Sequence, residues 1–277
     1  MVARTSDLFN TAALQNAPVL LRAEHVSKSF GPVVALKDVS MFLRKGEVLA
    51  LVGDNGAGKS TFIKIICGFH EPDSGTIEWE GHPVHFKSPL DARQHGIETV
   101  YQDLALVNDL SVYHNMFLGR EKIKRIGALI PLTDNKAMKE QTRAYLDQLG
   151  INLPSVTSQV RELSGGQRQS IAVARAMQTR PKLLLMDEPL AALGVREGAL
   201  VLGLVQELRR RREVSIILIV HNYNQVFEVC DRINFLHSGE IVLDVSTQET
   251  SEEELIRIVK SGLGRAAIAE AVASTQI

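Results

Sequence analysis

Three short segments of the chain combine residue types and spacings suited to phosphate chemistry. The first is Gly53-Asp54-Asn55-Gly56-Ala57-Gly58-Lys59-Ser60-Thr61. Its glycines let backbone N–H groups close around phosphate oxygens at the positive end of the helix that follows. In such a loop Lys59 is expected to reach the β- and γ-phosphates of a nucleoside triphosphate, and the Ser60 hydroxyl to coordinate Mg2+. The second segment, Leu183-Leu184-Leu185-Met186-Asp187-Glu188-Pro189, reads as a buried strand ending in two carboxylates. That places them at the C-terminal edge of a parallel sheet, where ligands of open α/β sheets gather. Asp187 is expected to hold the Mg2+ hydration shell and Glu188 to polarise the attacking water, a role worth ~10²–10⁴-fold in rate. A solvated acidic turn is the alternative, and pairing with the glycine-rich loop argues against it. The third segment, Leu163-Ser164-Gly165-Gly166-Gln167, precedes a helix running through Ile171 to Met177. Ser164 can cap that helix and the glycines bare its first N–H groups, which makes a second anion site. One nucleotide does not need two such sites from the same chain.

The elements that must position these residues follow from periodicity. Glu47 to Val52 is a continuous apolar strand and Lys59 to Gly68 a helix, the strand–loop–helix order that a phosphate loop requires. Val214 to Val220 resembles Leu183 to Met186 in being apolar throughout, as parallel strands buried on both faces are. Val19 to Val26 and Ala35 to Leu43 alternate as strands near a sheet edge, joined by a loop over Ser27 to Pro32. Thr76 to Trp79 lies between turn pairs and belongs to a small antiparallel hairpin unit. Ser88 and Pro89 open a short helix as N-cap and first helical residue. From Leu110 to about Leu163 the pattern is helical, clearest over Met138 to Leu149. Ile233 to Leu236 and Glu240 to Val245 make a closing hairpin, and Ser251 caps a last helix. The fold expected is α/β: a P-loop NTPase core with an antiparallel β subdomain and an inserted α-helical subdomain over about 103–165. Residues 1–18 are expected to form a flexible arm, 19–246 the ATPase domain, and 247–277 a helical extension with a loosely held tail from Arg265.

Bulk properties narrow the class further. The 277 residues suffice for a full core, and 45% hydrophobic with 23% charged residues is ordinary for a soluble globular protein. A formal net charge of −1 supplies no basic field for nucleic acid. Apolar runs reach about five to six residues, far short of the ~18 that span a bilayer. Nothing resembles a signal peptide, so the chain reads as cytosolic. Cys67 and Cys230 sit among apolar neighbours as buried free thiols. Three further features read as structural. Arg209 to Arg212 complements a helix end, His82 and His85 lie in a surface hairpin with no metal site, and Trp79 packs the hairpin.

The three segments in this order resemble the ATP-binding-cassette (ABC) family, over roughly Val19 to Ser246. The resemblance implies that two copies pair head to tail, with Ser164, Gly165, Gly166 and Gln167 of each closing on the γ-phosphate held by the other. It implies that His221 contacts the γ-phosphate and that Gln102 approaches Mg2+ and water. Phe30 resembles the aromatic that stacks on adenine, with a strand-end core phenylalanine as the rival reading. Gly96 to Leu106, Phe117 to Glu121 and Ala191 to Val195 look like the monosaccharide-importer branch. Gly194 stands where many family members have an aspartate, which moves coupling between the two ATP sites onto backbone groups. Leu190 departs from the small hydroxyl residue common after Glu-Pro. What the resemblance implies is an ATPase using ATP and Mg2+, peripheral on the cytosolic face of the inner membrane. It would act as a homodimer on two permease subunits, and indirectly with an extracytoplasmic sugar-binding protein, without nucleic acid. The alternatives are a soluble ABC ATPase acting on nucleic acid or the ribosome, an importer ATPase for a non-sugar solute, and a non-hydrolysing regulatory module.

Overall fold

Strand β3 (Val48–Val52) organises the molecule, and all five of its residues are buried. Because strand side chains alternate, Val48, Ala50 and Val52 enter one hydrophobic core while Leu49 and Leu51 enter another on the opposite face. In the computed structural model, which describes residues 14–126 and 130–261, β3 lies inside a six-stranded sheet. The strand order is β12-β11-β3-β10-β9-β6. Its members are β6 (Ile97–Val100), β9 (Leu183–Asp187), β10 (Ser215–Ile219), β11 (Arg232–His237) and β12 (Glu240–Ser246). All pair in parallel except β12, which closes the edge as an antiparallel hairpin with β11. Leu183–Met186 of β9 and Ile216–Ile219 of β10 are apolar throughout and fully buried, as parallel strands covered on both faces are.

A second sheet, β2-β1-β4-β5, is antiparallel throughout. It contains β1 (Val19–Phe30), β2 (Val33–Arg44), β4 (Ser74–Trp79) and β5 (His82–Val84). The expected loop over Ser27 to Pro32 is instead strand as far as Phe30, with only a tight turn before Val33. Register shifts at Val26, Lys28 and Ser29 let a polar stretch stay paired by bulging. Trp79 is buried against Phe86, as hairpin packing requires. Residues 14–18, assigned to the arm on sequence, contact the core: Arg44 donates to Ala17 O and the Lys45 amide to Pro18 O. Residues 1–13, the rest of that arm, and the expected tail from Arg265 lie outside the described residues.

Helices α1 (Lys59–Ile66) and α2 (Pro89–Gln94) follow, and the Asp91 amide donates to the Ser88 hydroxyl as the capping prediction required. The stretch read as helical from Leu110 to Leu163 is more mixed. Helix α3 (Val112–Met116) and helix α4 (Asn135–Gln148) flank an antiparallel hairpin of β7 (Ile123–Ile126) and β8 (Ile130–Thr133). The apolar residues of β7, Ile123 and Ile126, stand three apart, a spacing a helix also shows, so it is the antiparallel pairing, from Ile123 opposite Thr133 to Ile126 opposite Ile130, that makes this stretch strand. Then come α5 (Gly165–Met177), α6 (Val195–Arg211), α7 (Tyr223–Val229) and α8 (Glu252–Ser261). The Glu254 amide donates to Ser251 Oγ, capping α8. No described helix is long and apolar enough to cross a membrane.

Candidate nucleotide site

Loop 53–58 turns at the end of β3 and enters α1 through residues that only glycine satisfies. Gly53 has φ 149° and Gly58 φ 108°. A Cβ would overlap Leu236 O at the first and Ala35 O at the second. The loop is also braced from the β11–β12 hairpin, where the Gly239 amide donates to Ala57 O at 3.1 Å. Of the amides from Asn55 to Ser60, only that of Ala57 has a protein acceptor, Asp54 O at 3.1 Å. The remainder form a set of unused donors at the start of α1, which fits a bound polyphosphate. Lys59 is buried, and its ammonium donates to Gly53 O at 2.7 Å and Asp54 O at 2.8 Å. Burial lowers its pKa, while the carboxylates of Glu188, Asp54 and Asp187, in that order, oppose the shift.

Asp187 ends β9 and Glu188 follows it, so both carboxylates reach the same edge as the loop. Ser60 Oγ lies 3.5 Å from Asp187 Oδ1. Two oxygen donors at that spacing suit a hard cation such as Mg2+ shared with a substrate's phosphates. Burial, and then the neighbouring Glu188, raise the Asp187 pKa. Glu188 occupies the left-handed region at φ 50°, held by its amide bond to Ile219 O at 3.2 Å. Its Oε1 lies 2.6 Å from His221 Nε2. His221 leaves the end of β10, the strand beside β9, which is how topology brings residues 33 apart into contact. Gln102 is exposed just past the end of β6, on the other side of β9. Phe30 ends β1 at 43% exposure, so it is no core residue; His70 meets its ring edge-on at 5.1 Å.

The Ser164–Gln167 turn is not joined to this cluster. Ser164 Oγ accepts from the Gln167 amide, and Gln167 Oε1 accepts from the Ser164 amide, a reciprocal cap on α5. The turn is also tied to α6. The Gly165 amide donates to Glu197 Oε1 at 3.1 Å, and the Gly194 amide to Glu197 Oε2 at 3.3 Å. A Cβ at Gly166 would stand 2.8 Å from Glu197 O and 2.9 Å from its Cα. Gly166 therefore admits α6, and the expected set of bared N–H groups is largely taken up within the chain: the Ser164, Gly165 and Gln167 amides all have protein acceptors. Glu197 ties the two turns together and was missed on sequence; its one legible sign is the three-residue spacing after Gly194, a capping pattern. Arg209 and Arg212 pair with Asp231, and Arg210 and Arg211 with Glu207, so the arginine run is structural. Cys67 and Cys230 are buried and free. Among the described residues no group of three or more His, Cys, Asp or Glu side chains is placed to hold a metal ion.

The sequence profile of the family described as ABC transporter matches residues 36–191. This chain belongs to the ABC transporter family. It is 48% identical to a xylose/arabinose import ATP-binding protein of Sulfolobus acidocaldarius over 91% of this chain and 98% of that protein. With a fructose import ATP-binding protein of Rhizobium meliloti it shares 46% over 86% and 92% of the two chains. A ribose import ATP-binding protein of Burkholderia cenocepacia is 38% identical over 87% of this chain, which spans only 46% of that relative. Among solved structures, a nucleotide-free ATP-binding cassette of an ABC transporter superposes with TM-score 0.71 at 26% identity, covering 87% of this chain and 95% of that one. A Clostridium perfringens protein, part of the ABC transporter complex cbiONQ, gives 0.72 at 26%, covering 94% and 100%. The chain thus shares the fold of solved ABC cassettes.

Proposed function

We propose that this chain is the ATP-hydrolysing subunit of a monosaccharide importer, binding Mg-ATP at the interface of a head-to-tail homodimer. The observation that carries the chemistry is the convergence of Lys59, Ser60, Asp187, Glu188 and His221 at one sheet edge, beside the unused loop amides. The importer assignment draws on likeness to xylose/arabinose and fructose import proteins across nearly their full lengths.

The amides of residues 55, 56 and 58–60 and the Lys59 ammonium would hold the phosphates, and Ser60 and Asp187 would hold Mg2+. Bound Mg2+ neutralises charge developing on the phosphoryl oxygens. Glu188 accepts a proton from the attacking water, and His221, hydrogen-bonded to it, keeps its carboxylate aimed at that position. Gln102 reaches the same water from β6, and Phe30 supplies an exposed face for the adenine. Because Ser164–Gln167 stands apart from its own loop, the turn serves the nucleotide of a second copy, with the Gly166 amide as its available backbone donor. Two permease subunits receive the dimer at the cytosolic face of the inner membrane, and a sugar-binding protein delivers the solute to them.

Glu188→Gln tests the hydrolytic reading. Phosphate release is expected to fall ~10²–10⁴-fold while ATP gathers the variant into a dimer by size-exclusion chromatography; normal turnover would refute the role. Purification from gently solubilised native membranes tests the importer reading. A polytopic permease should accompany the chain, whereas ribosomes or nucleic acid in its place would overturn it.

A further inference from the structure

The segment that follows Gln102 is held in an uncommon shape from a distant helix. Leu104 and Ala105 are consecutive left-handed residues at φ 59° and 47°, and neither is glycine. L side chains resist that region, so consecutive instances persist only where surrounding structure over-determines them. Local bonds supply part of this: the Leu104 amide donates to Tyr101 O at 3.0 Å and the Ala105 amide to Asp103 O at 2.7 Å. The rest comes from Arg175, in the last turn of α5. Its Nη1 donates to Ala105 O at 2.7 Å and its Nη2 to Leu104 O at 2.9 Å. One planar fork thereby satisfies two carbonyls that the left-handed turn has rotated to the same side.

Burial lowers the Arg175 pKa, and the charge of Glu98 on β6 opposes that shift only in part. The Glu98 carboxylate is 5% exposed and pairs with Arg93 at 3.1 Å and Arg120 at 3.5 Å. Glu98 and Arg120 come from the two stretches, Gly96 to Leu106 and Phe117 to Glu121, that mark the sugar-importer resemblance.

We propose that Arg175 is a positioning residue for Gln102: by clamping the two left-handed carbonyls it sets where the Gln102 amide reaches at the sheet edge. Since α5 begins at the Ser164 turn, the same helix then links the surface facing a second copy's nucleotide to the segment facing its own. Lysine cannot replace the clamp, because a point-charge ammonium lacks the fork that spans two acceptors. This inference rests on the proposed hydrolytic role of Gln102.

The test is a double-mutant cycle on steady-state ATPase activity of the full chain, with Arg175→Ala, Arg175→Lys, Gln102→Ala and the Arg175→Ala/Gln102→Ala pair. Arg175→Ala should lower kcat ~10- to 100-fold, the scale of a misplaced catalytic geometry, with KM for ATP within about twofold. Arg175→Lys should recover little of that loss, and it serves as the readout if the alanine variant does not fold. Decisively, the pair should be no slower than Gln102→Ala alone, since a residue acting through Gln102 has nothing left to position. Multiplicative losses in the pair, or wild-type kcat in the Arg175 variants, would overturn the clamp while leaving the hydrolytic reading standing. Absence of ATPase in the wild-type chain, or full activity in Gln102→Ala, would instead overturn the reading beneath it.

Discussion

Gly166→Ala probes the contact between the Ser164 turn and α6, and Gly198→Ala provides a matched comparison on the facing helix. A Cβ at Gly166 meets the O, Cα and Cβ of Glu197 at 2.8, 2.9 and 3.0 Å. Those atoms cannot swing aside, so α6 must recede by roughly 0.5 Å or more to regain ordinary separation. Such overpacking costs ~1–3 kcal/mol, offset by the ~0.8–1.0 kcal/mol that alanine gains over glycine inside a helix. The net is a loss of about 0–2 kcal/mol. Gly198 is also buried in a helix, yet nothing lies within 4 Å of its Cβ. The same exchange there should stabilise by ~0.5–1 kcal/mol. Urea unfolding of the nucleotide-free protein should therefore separate the two variants by ~1–3 kcal/mol at constant m-value. Gly166→Ala should also lower phosphate release ~10-fold or more, because the turn moves with α6, while Gly198→Ala keeps wild-type turnover. Equal stabilities with full activity in both would refute the argument that close approach of α6 shapes the turn.

Asp187→Asn should stabilise the nucleotide-free protein at pH 7 while abolishing turnover. Burial and Glu188 raise the Asp187 pKa, so the native state keeps this proton to higher pH than the unfolded chain, and stability is lost as pH rises through that interval. Urea unfolding across pH should show the advantage of the variant closing as pH falls below the unfolded value of ~3.9; no advantage at pH 7 would count against the burial argument. Glu207 behaves oppositely, held down to about 2 by Arg210 and Arg211. Its contribution is complete above 4.5 and is lost as pH falls towards about 2. Solvent screening limits each pair to ~0.3–0.5 kcal/mol, so Glu207→Gln should cost under about 1 kcal/mol at pH 7 in low salt. A larger loss that persists in 1 M salt would show that Glu207 does more than pair with these arginines.

The candidate nucleotide site is legible because the chemistry proposed for it constrains local sequence. A phosphate loop needs glycine where φ is positive, and a metal-binding carboxylate needs a strand to end there. The apolar runs of β3, β9 and β10 identified a doubly covered sheet for the same reason. Elements governed by distant partners were less readable. The polar end of β1 pairs through bulges that no alternation rule anticipates, and the four-residue strands β7 and β8 carry no alternation that would stand out between helical flanks. Glu197 and Arg175 act across 32 and 70 residues of sequence, so nothing beside them announces Gly165 or Ala105 as partners. Phe30 was left between adenine stacking and core packing; its exposure removes the second reading.

The strand order has a consequence for synthesis. Strand β3, which launches the phosphate loop, is flanked only by β10 and β11, and neither begins before residue 215. At ~5–20 residues per second the ribosome takes on the order of 10–30 s to deliver those neighbours after β3 emerges. The antiparallel sheet, complete by Val84, can assemble first. Throughout that wait the five apolar residues of β3 lack their lateral partners, and Leu236 and Gly239, which brace the loop, are still unmade. The nascent chain therefore acquires its nucleotide cradle as one of its last folding events, and β3 is the stretch a chaperone has most reason to hold.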